Sequence, residues 1–400
     1  MLQLLRRRPA FFRFWLAGLT SQAGDWLSYV AVSLLALEQG AGEGALAVAL
    51  VLLAHSLPHA LLAPVSGILA DRFDRRSMLF VTHALEGLAT LGMLAGAVAG
   101  SLLTVEVLLV LRAGIAALAW PARTAAFRSL VEPDELLTAN ALAGATWSAV
   151  FALGMAAGGV LASFGPELAL AVDAATFGLA AALIVTLPAM KPALGQSSPG
   201  FGRAFEALRV DPALFQAVLA KLPLAMAGGG AWVVLNLLAE DLAFIGTAAL
   251  TLGMLQLAKG AGTGIGPVLA ERLGGGPRVG AAVNLVGLLG IAAFLATQEP
   301  IVLVFTSLIW GIGSGGNWVL AQAELQERAP AGMLGRLSGL DVLAMTLGQS
   351  LAAVATAGAI ELGIPGSAAA SAWLLAGAAV FVLLQLRSLR TTVSMSSGGK

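Results

Sequence analysis

The chain has 400 residues, 58% of them hydrophobic and 11% charged, with a mean hydropathy of +0.89 and no net charge. A soluble domain cannot keep so much apolar surface from water, so the composition excludes an ordinary cytosolic fold and points to a membrane. Cysteine is absent, which removes disulfide frameworks, thiolate metal sites and Cys nucleophiles, and the balanced charge argues against nucleic acid as a partner.

About 20 apolar residues cross a bilayer. By that rule the chain divides into twelve spans, at 14–37, 45–70, 77–98, 103–120, 138–161, 168–187, 213–238, 247–270, 279–297, 301–320, 335–360 and 368–389. Arg6, Arg7 and Arg8 ahead of the first run imitate a signal peptide. The run from Phe14 to Leu37 is too long for the apolar core of one, so it reads as an uncleaved first helix. The longest polar gap, Pro188 to Pro212, holds Gln196-Ser197-Ser198-Pro199-Gly200 and then a short surface helix over Phe201–Val210. It separates an N-terminal bundle, 1–188, from a C-terminal one, 213–390, with a central cytoplasmic loop at 189–212. The Ser/Gly-rich tail, 391–400, is expected to be disordered.

Charge placement tests the count. Arg112, Lys221 and Lys259 fall inside spans, and every other Lys and Arg falls on one side of the membrane. The opposite loops carry Glu38, Glu43, Glu167, Glu240, Asp241, Glu299 and Glu361. An even number of spans with both termini cytoplasmic accounts for this asymmetry, and a wrong count would scatter the bases over both sides. An internal repeat supports the division. Leu69-Ala70-Asp71-Arg72 returns as Leu269-Ala270-Glu271-Arg272, Gly24-Asp25-Trp26 is echoed by Gly230-Ala231-Trp232, and Trp120 corresponds to Trp318.

The ionisable groups this reading places within spans are Asp25, Glu86, Arg112, Asp173, Lys221 and Lys259, each costing on the order of 2.5–3.5 kcal/mol if it faces lipid. They are expected to face the bundle interior or to pair, with Asp25 and Arg112 near mid-membrane as the first pair. Lys221, near an inner end, reads as a side chain that snorkels, and Lys259 as the deeper cavity residue. His55 and His59, four residues apart, share a helix face, but Pro58 lies between them and no H-E-x-x-H pattern follows; with His83 they read as polar packing rather than metal ligands. Gly311-x-Gly313-x-x-Gly316 matches a dinucleotide fingerprint in letters only. It sits inside a span, so it reads as helix packing, like Gly92/Gly96/Gly100 and Gly154/Gly158. Trp15, Trp120 and Trp373 read as interfacial residues, and Trp147 and Trp232 as candidates for a cavity wall.

The turn Gly67-Ile68-Leu69-Ala70-Asp71-Arg72-Phe73-Asp74-Arg75-Arg76 has the pattern G-x-x-x-D-R-x-x-R-R and closely resembles the loop between helices 2 and 3 of the major facilitator superfamily. Leu111-Arg112-Ala113-Gly114 resembles a second motif of that family. Gln22-x-Gly24-Asp25-Trp26, Pro121-Ala122-Arg123 after helix 4, Ala139-Asn140 and Asp173-x-x-Thr176-Phe177 are similar to its drug- and siderophore-exporting branch. Gly154-Met155-Ala156-Ala157-Gly158-Gly159 keeps the glycines of the antiporter motif in helix 5 and lacks its proline. The resemblance implies an all-α membrane protein of twelve transmembrane helices in two pseudo-symmetric six-helix bundles. It also implies gating at Gly67, Asp71, Arg72, Arg75 and Arg76, with Glu271 and Arg272 as the repeat counterpart. Helices 1 and 4 line the central cavity in that fold, so proton coupling and substrate binding are expected at Asp25, Arg112, Glu86, Asp173 and Lys259. The function implied is proton-coupled efflux of an amphipathic small compound from the cytoplasmic membrane. The carrier would be a monomer without cofactor or enzymatic activity. An uptake carrier, a lysophospholipid flippase or a non-transporting sensor are the alternatives on the same fold.

Overall fold

The computed structural model describes residues 2–39, 44–132, 135–191, 201–330 and 333–397, and among these every regular element is helical. A short α1, Leu2–Arg7, leads into α2 (Pro9–Gln39), α3 (Gly44–Arg72), α4 (Arg75–Val98), α5 (Leu102–Leu130), α6 (Leu136–Ala162) and α7 (Pro166–Val185). A surface helix α8, Phe201–Val210, coincides with the one expected. Then come α9 (Pro212–Leu219), α10 (Leu222–Leu242), α11 (Ala248–Arg272), α12 (Gly276–Leu295), α13 (Pro300–Arg328), α14 (Leu334–Glu361) and α15 (Gly366–Ser397). With α9 and α10 counted as one broken helix, each of the twelve expected spans has its helix. Local chemistry sets the ends: Ser101 caps α5 through the Thr104 N–H, and Pro166, Pro212 and Pro300 open their helices where no N–H is needed. Gln196–Gly200 lies outside the described residues.

Three details correct the sequence reading. First, α5 and α13 outrun the apolar segments that suggested ends at 120 and 320. Ala122, Ala126 and Leu130 are buried in the extension of α5, and Ala321 and Leu325 in that of α13. An apolar face at four-residue spacing continues the helix after the run of uniform hydrophobicity stops. Pro121-Ala122-Arg123 therefore lies within α5, not after it. Second, the seventh span is broken at Ala220–Lys221. Pro223 has no N–H to offer the preceding turn, and beside the break the Ala220 carbonyl accepts from Asn317 Nδ2 at 3.3 Å. Third, α15 runs to Ser397, through most of the stretch expected to be disordered.

The chain forms two compact units. One comprises Met1–Gln196 with Asn236–Gly260, the other Ser197–Leu235 with Ala261–Lys400. The simple division at the central loop thus shifts for one segment. It does so because Gly159 seats against the Ala249 carbonyl and Gly253, and Gly260 against Ala152, where any side chain would collide with backbone. In the first unit α2 is central, packed on α6 and α7, while α5 bridges α3 and α4. Phe11, Phe14 and Phe127 close its core, with Phe14 and Phe127 edge to face at 5.3 Å. In the second unit α12 and α13 meet backbone to backbone at Gly287 and Gly313, and Gly316 lies on Val283. The fingerprint-like glycines are accordingly a helix–helix seam.

Candidate functional site

Arg112 organises the interior of the first unit. It is 2% exposed on α5, and its Nη1 donates to Asp173 Oδ2 on α7 at 2.5 Å, to Ser28 Oγ on α2 at 3.1 Å and to Thr90 Oγ1 on α4 at 3.4 Å. Nη2 lies 3.4 Å from Asp25 Oδ1, and the guanidinium sits 5.7 Å from the centre of the Phe177 ring. The sequence pairs Arg112 first with Asp25 and counts Asp173 among the further cavity residues; the structure makes Asp173 the tighter partner. Asp173 is wholly buried, whereas the Asp25 side chain keeps 33% of its surface exposed. Gly24 makes this possible. A Cβ there would meet Asp173 Oδ1 and Thr176 Oγ1, so the Gly24-Asp25 and Asp173-x-x-Thr176 motifs are two sides of one contact.

The exposed edge of Asp25 opens on a cavity of about 150 Å³ bounded by α2, α3, α4, α5, α6 and α7. Its polar wall holds Asp25, Arg112, Arg123, Gln22 and the pair His83–Glu86, joined at 2.7 Å. Its aromatic wall holds Trp26, Trp120, Trp147 and Phe177. Trp147 stacks on Phe151 at 5.6 Å, and Trp26 meets Phe151 edge to face at 4.7 Å. All three histidines reach this site, which spacing alone did not suggest. His55 lies against Trp26 and Tyr29, and His59 Nδ1 bonds the His55 carbonyl oxygen at 3.2 Å. Trp120, expected at the membrane interface, is largely exposed and also lines the cavity, and Trp15 donates to Thr146 Oγ1 on α6 at 2.8 Å. Trp232 is 5% exposed and lies in the other unit's core. Lys259 is buried over the Phe151 ring, 5.8 Å from its centre, behind the aromatic wall.

Two intramembrane acids missing from the sequence reading alter its balance of three acids and three bases. Asp341 on α14 takes Lys221 Nζ at 2.5 Å, and Lys221 also contacts Gln322 at 3.4 Å and the Trp318 ring at 4.2 Å. Lys221, 4% exposed, is therefore paired in the interior of the second unit and does not snorkel. Glu106 on α5 borders an apolar groove of about 650 Å³ between α3 and α5. Both acids are single letters in long apolar runs, where hydropathy averages conceal them.

The turn between α3 and α4 follows the repeat: α3 ends at Arg72 and α11 at Arg272. The side chains of Gly67, Asp71 and Arg72 lie outside the described residues. Asp74 caps α4, accepting from the Ser77 N–H at 3.0 Å, and its other oxygen accepts from the Met190 N–H at 2.6 Å. Arg75 Nη1 reaches Ser129 Oγ on α5 at 2.9 Å, and Arg76 Nη1 the Leu187 carbonyl past α7 at 3.1 Å. Burial alone would raise the Asp74 carboxyl, but the Ser77 and Met190 donors and Arg76 outweigh it, and its pKa is held below the usual value. Glu271 and Arg272 are exposed at the matching turn.

The sequence profile of the Major Facilitator Superfamily matches residues 14–353. Two proteins of Bacillus subtilis (strain 168) are related in sequence. "Uncharacterized MFS-type transporter YfiS" is 30% identical over 169 residues, 42% of this chain and 40% of that protein. "Putative bacilysin exporter BacE" is 24% identical over 294 residues, 72% of this chain and 73% of that one. Among solved structures, the nucleoside transporter NupG (D323A mutant) superposes with a TM-score of 0.71 at 13% identity, covering 94% of this chain and 99% of its own. At that identity the superposition speaks for the fold alone.

Proposed function

The chain belongs to the Major Facilitator Superfamily and is a multi-pass membrane transporter, and we propose that it exports an amphipathic small organic compound in exchange for protons. One observation carries the coupling: Arg112 holds two carboxylates, and the fully buried Asp173 already neutralises it. Asp25 is then a surplus negative charge on the cavity wall. A surplus charge away from bulk water is costly unless a proton or a cation joins it. Proton uptake at Asp25 and substrate binding beside it are thereby exclusive, which is what exchange requires. The outward direction draws support from BacE, whose name describes an exporter. We place the carrier in the cytoplasmic membrane as a monomer with both termini cytoplasmic, following the Lys/Arg asymmetry. The Gly67–Arg76 turn acts as the gate that holds one state of an alternating-access cycle, with Glu271 and Arg272 as a weaker copy.

The test is transport in proteoliposomes under an imposed pH gradient, with a panel of dyes and other amphipathic compounds. Asp25→Asn is expected to abolish gradient-driven export while binding survives, and Arg112→Ala to impair both. Export by Asp25→Asn that still follows the gradient rejects this assignment and moves the coupling to Glu86, the other carboxylate lining the cavity.

A further inference from the structure

Glu106 is an intramembrane acid that the coupling scheme does not use. It is half-buried on α5, and its Oε1 is enclosed without a hydrogen bond from any described residue. No charged neighbour among the described residues acts on it. Of the described residues lining the groove between α3 and α5, Glu106 alone is polar, and the rest of the wall is aliphatic. Leu61, Leu103, Val107 and Leu111 on that wall are each more than half exposed, so no described part of the chain covers it. The groove volume of about 650 Å³ lies in the range of pockets that enclose a drug-sized ligand. Glu106 stands ~6 Å along the axis from Leu102, where α5 begins, and the groove continues to Leu118, ~18 Å further. One leaflet contributes ~15 Å of hydrocarbon, half of the ~30 Å core. The groove therefore runs from about headgroup depth to about mid-membrane. The Cα–Cβ bonds of a helix tilt toward its N-terminus, so the Glu106 side chain leads toward the headgroup end.

From this juxtaposition we infer that the groove is a binding site for an aminophospholipid. One acyl chain lies along the aliphatic wall of α3 and α5, and the primary ammonium of the headgroup meets Glu106. A carboxylate set in an apolar wall is costly unless a cation joins it, and this headgroup brings the cation to the depth where the carboxylate stands. A primary ammonium also donates hydrogen bonds to the carboxylate oxygens. A trimethylated ammonium has no N–H to give, and a phosphoglycerol headgroup brings only like charge. The site is thus selective among lipids, which an apolar groove alone is not. On the proposed topology α5 begins at the outer face, so the lipid belongs to the outer leaflet. Lipid binding here involves neither Asp25 nor the central cavity and stands apart from the export reading.

The test is native mass spectrometry of the purified full-length protein in detergent, which reads the first lipid bound without substrate or gradient. The probes are dioleoyl phosphatidylethanolamine, its N-trimethyl counterpart dioleoyl phosphatidylcholine, and dioleoyl phosphatidylglycerol, in equal amounts. The wild type is expected to hold the ethanolamine lipid over the choline lipid by about tenfold, the worth of one charge-assisted hydrogen bond, and to hold the glycerol lipid least. Glu106→Gln, which removes a charge from an apolar wall, is expected to bring the ethanolamine and choline lipids to parity. Gly114→Leu fills the groove and keeps the carboxylate; a Cβ at Gly114 makes only an ordinary 3.5 Å contact with Leu62 Cδ1. It is expected to lower the occupancy of both lipids and covers the case in which Glu106→Gln does not fold. Equal binding of the ethanolamine and choline lipids by the wild type overturns the inference. A preference that survives Glu106→Gln, or an occupancy that Gly114→Leu leaves unchanged, does the same. Protein dimers that appear in place of lipid-bound monomers would give the groove to a second copy of the chain. Gradient-driven export of a cationic dye that Glu106→Gln abolishes, with the lipid ratio unmoved, would make it a substrate path. Either result also overturns the lipid assignment.

Discussion

Asp25 and Asp173 contact the same guanidinium and are not equivalent. Asp173 has no surface of its own, so its removal leaves the buried Arg112 with two hydroxyls and the half-exposed Asp25 at 3.4 Å, whereas removal of Asp25 leaves the Arg112–Asp173 pair whole. Breaking a buried pair by removing one member costs about 3–5 kcal/mol. Asp173→Ala is therefore expected to lower stability by roughly that amount in detergent unfolding, and Asp25→Ala by much less. Comparable losses at the two sites would show that Asp25 is structural. The difference between the two acids was not legible in the sequence. Both are lone carboxylates in apolar runs, and what separates them is Gly24, which lets α7 press Asp173 into the unit while Asp25 stays at the cavity edge. The place of the histidines on the cavity was not legible for a similar reason: the i, i+4 spacing argues for or against a metal and says nothing of an aromatic wall. Asp341 went unseen because its partner Lys221 is 120 residues away and sits at a helix break.

At the scale of elements, the α3–α4 turn is tied to the ends of α5 and α7 by three side chains, one bond each from Asp74, Arg75 and Arg76, and Asp74 also caps α4. Asp74→Ala removes an N-cap and a tether to Met190, for an expected cost of about 1 kcal/mol. The sign of its pH dependence follows from the lowered carboxyl. Asp74 is ionised and contributes above the ordinary carboxylate pKa of 3.8, and its contribution is lost as pH falls through its lower folded value. Wild type and Asp74→Ala should differ fully at neutral pH and converge in acid; a gap that persists there assigns the effect to packing. Gating is separable from this. Asp71→Asn should slow transport with insertion intact, and Glu271→Gln should do less, since Glu271 is exposed and the second copy lacks the Arg75–Arg76 tethers. Equal losses at both sites leave the turn as an anchor only. The helices themselves were legible because length, hydropathy and caps agree. The extensions of α5 and α13 were not, because amphipathic helix is quieter than apolar helix on a hydropathy scale.

At the scale of the whole molecule, the count of crossings and the Lys/Arg asymmetry make one joint claim, and exposed turns allow it to be tested at once. Gly165 and Gly363 hold φ of +122° and +84°, so a cysteine there would be strained. Their neighbours Phe164 and Leu362 are 76% and 84% exposed and serve better, with Phe73 and Leu273 at the basic turns, 56% and 66% exposed. In chain order the four positions run Phe73, Phe164, Leu273, Leu362. Three helices separate each from the next: α4 to α6, then α7, the broken α9–α10 and α11, then α12 to α14. An odd number of crossings between neighbours makes them alternate sides. The native chain has no cysteine, so each substitution reports alone. With an impermeant maleimide on intact cells, Phe164→Cys and Leu362→Cys should label directly, and Phe73→Cys and Leu273→Cys only after permeabilisation. Reversal of all four would keep the fold and invert the orientation, against the positive-inside asymmetry. Failure of alternation in one interval would mean that a helix there does not cross, and the interval holding the break at Ala220–Lys221 is the most exposed to that outcome, because only there is a crossing assembled from two helices.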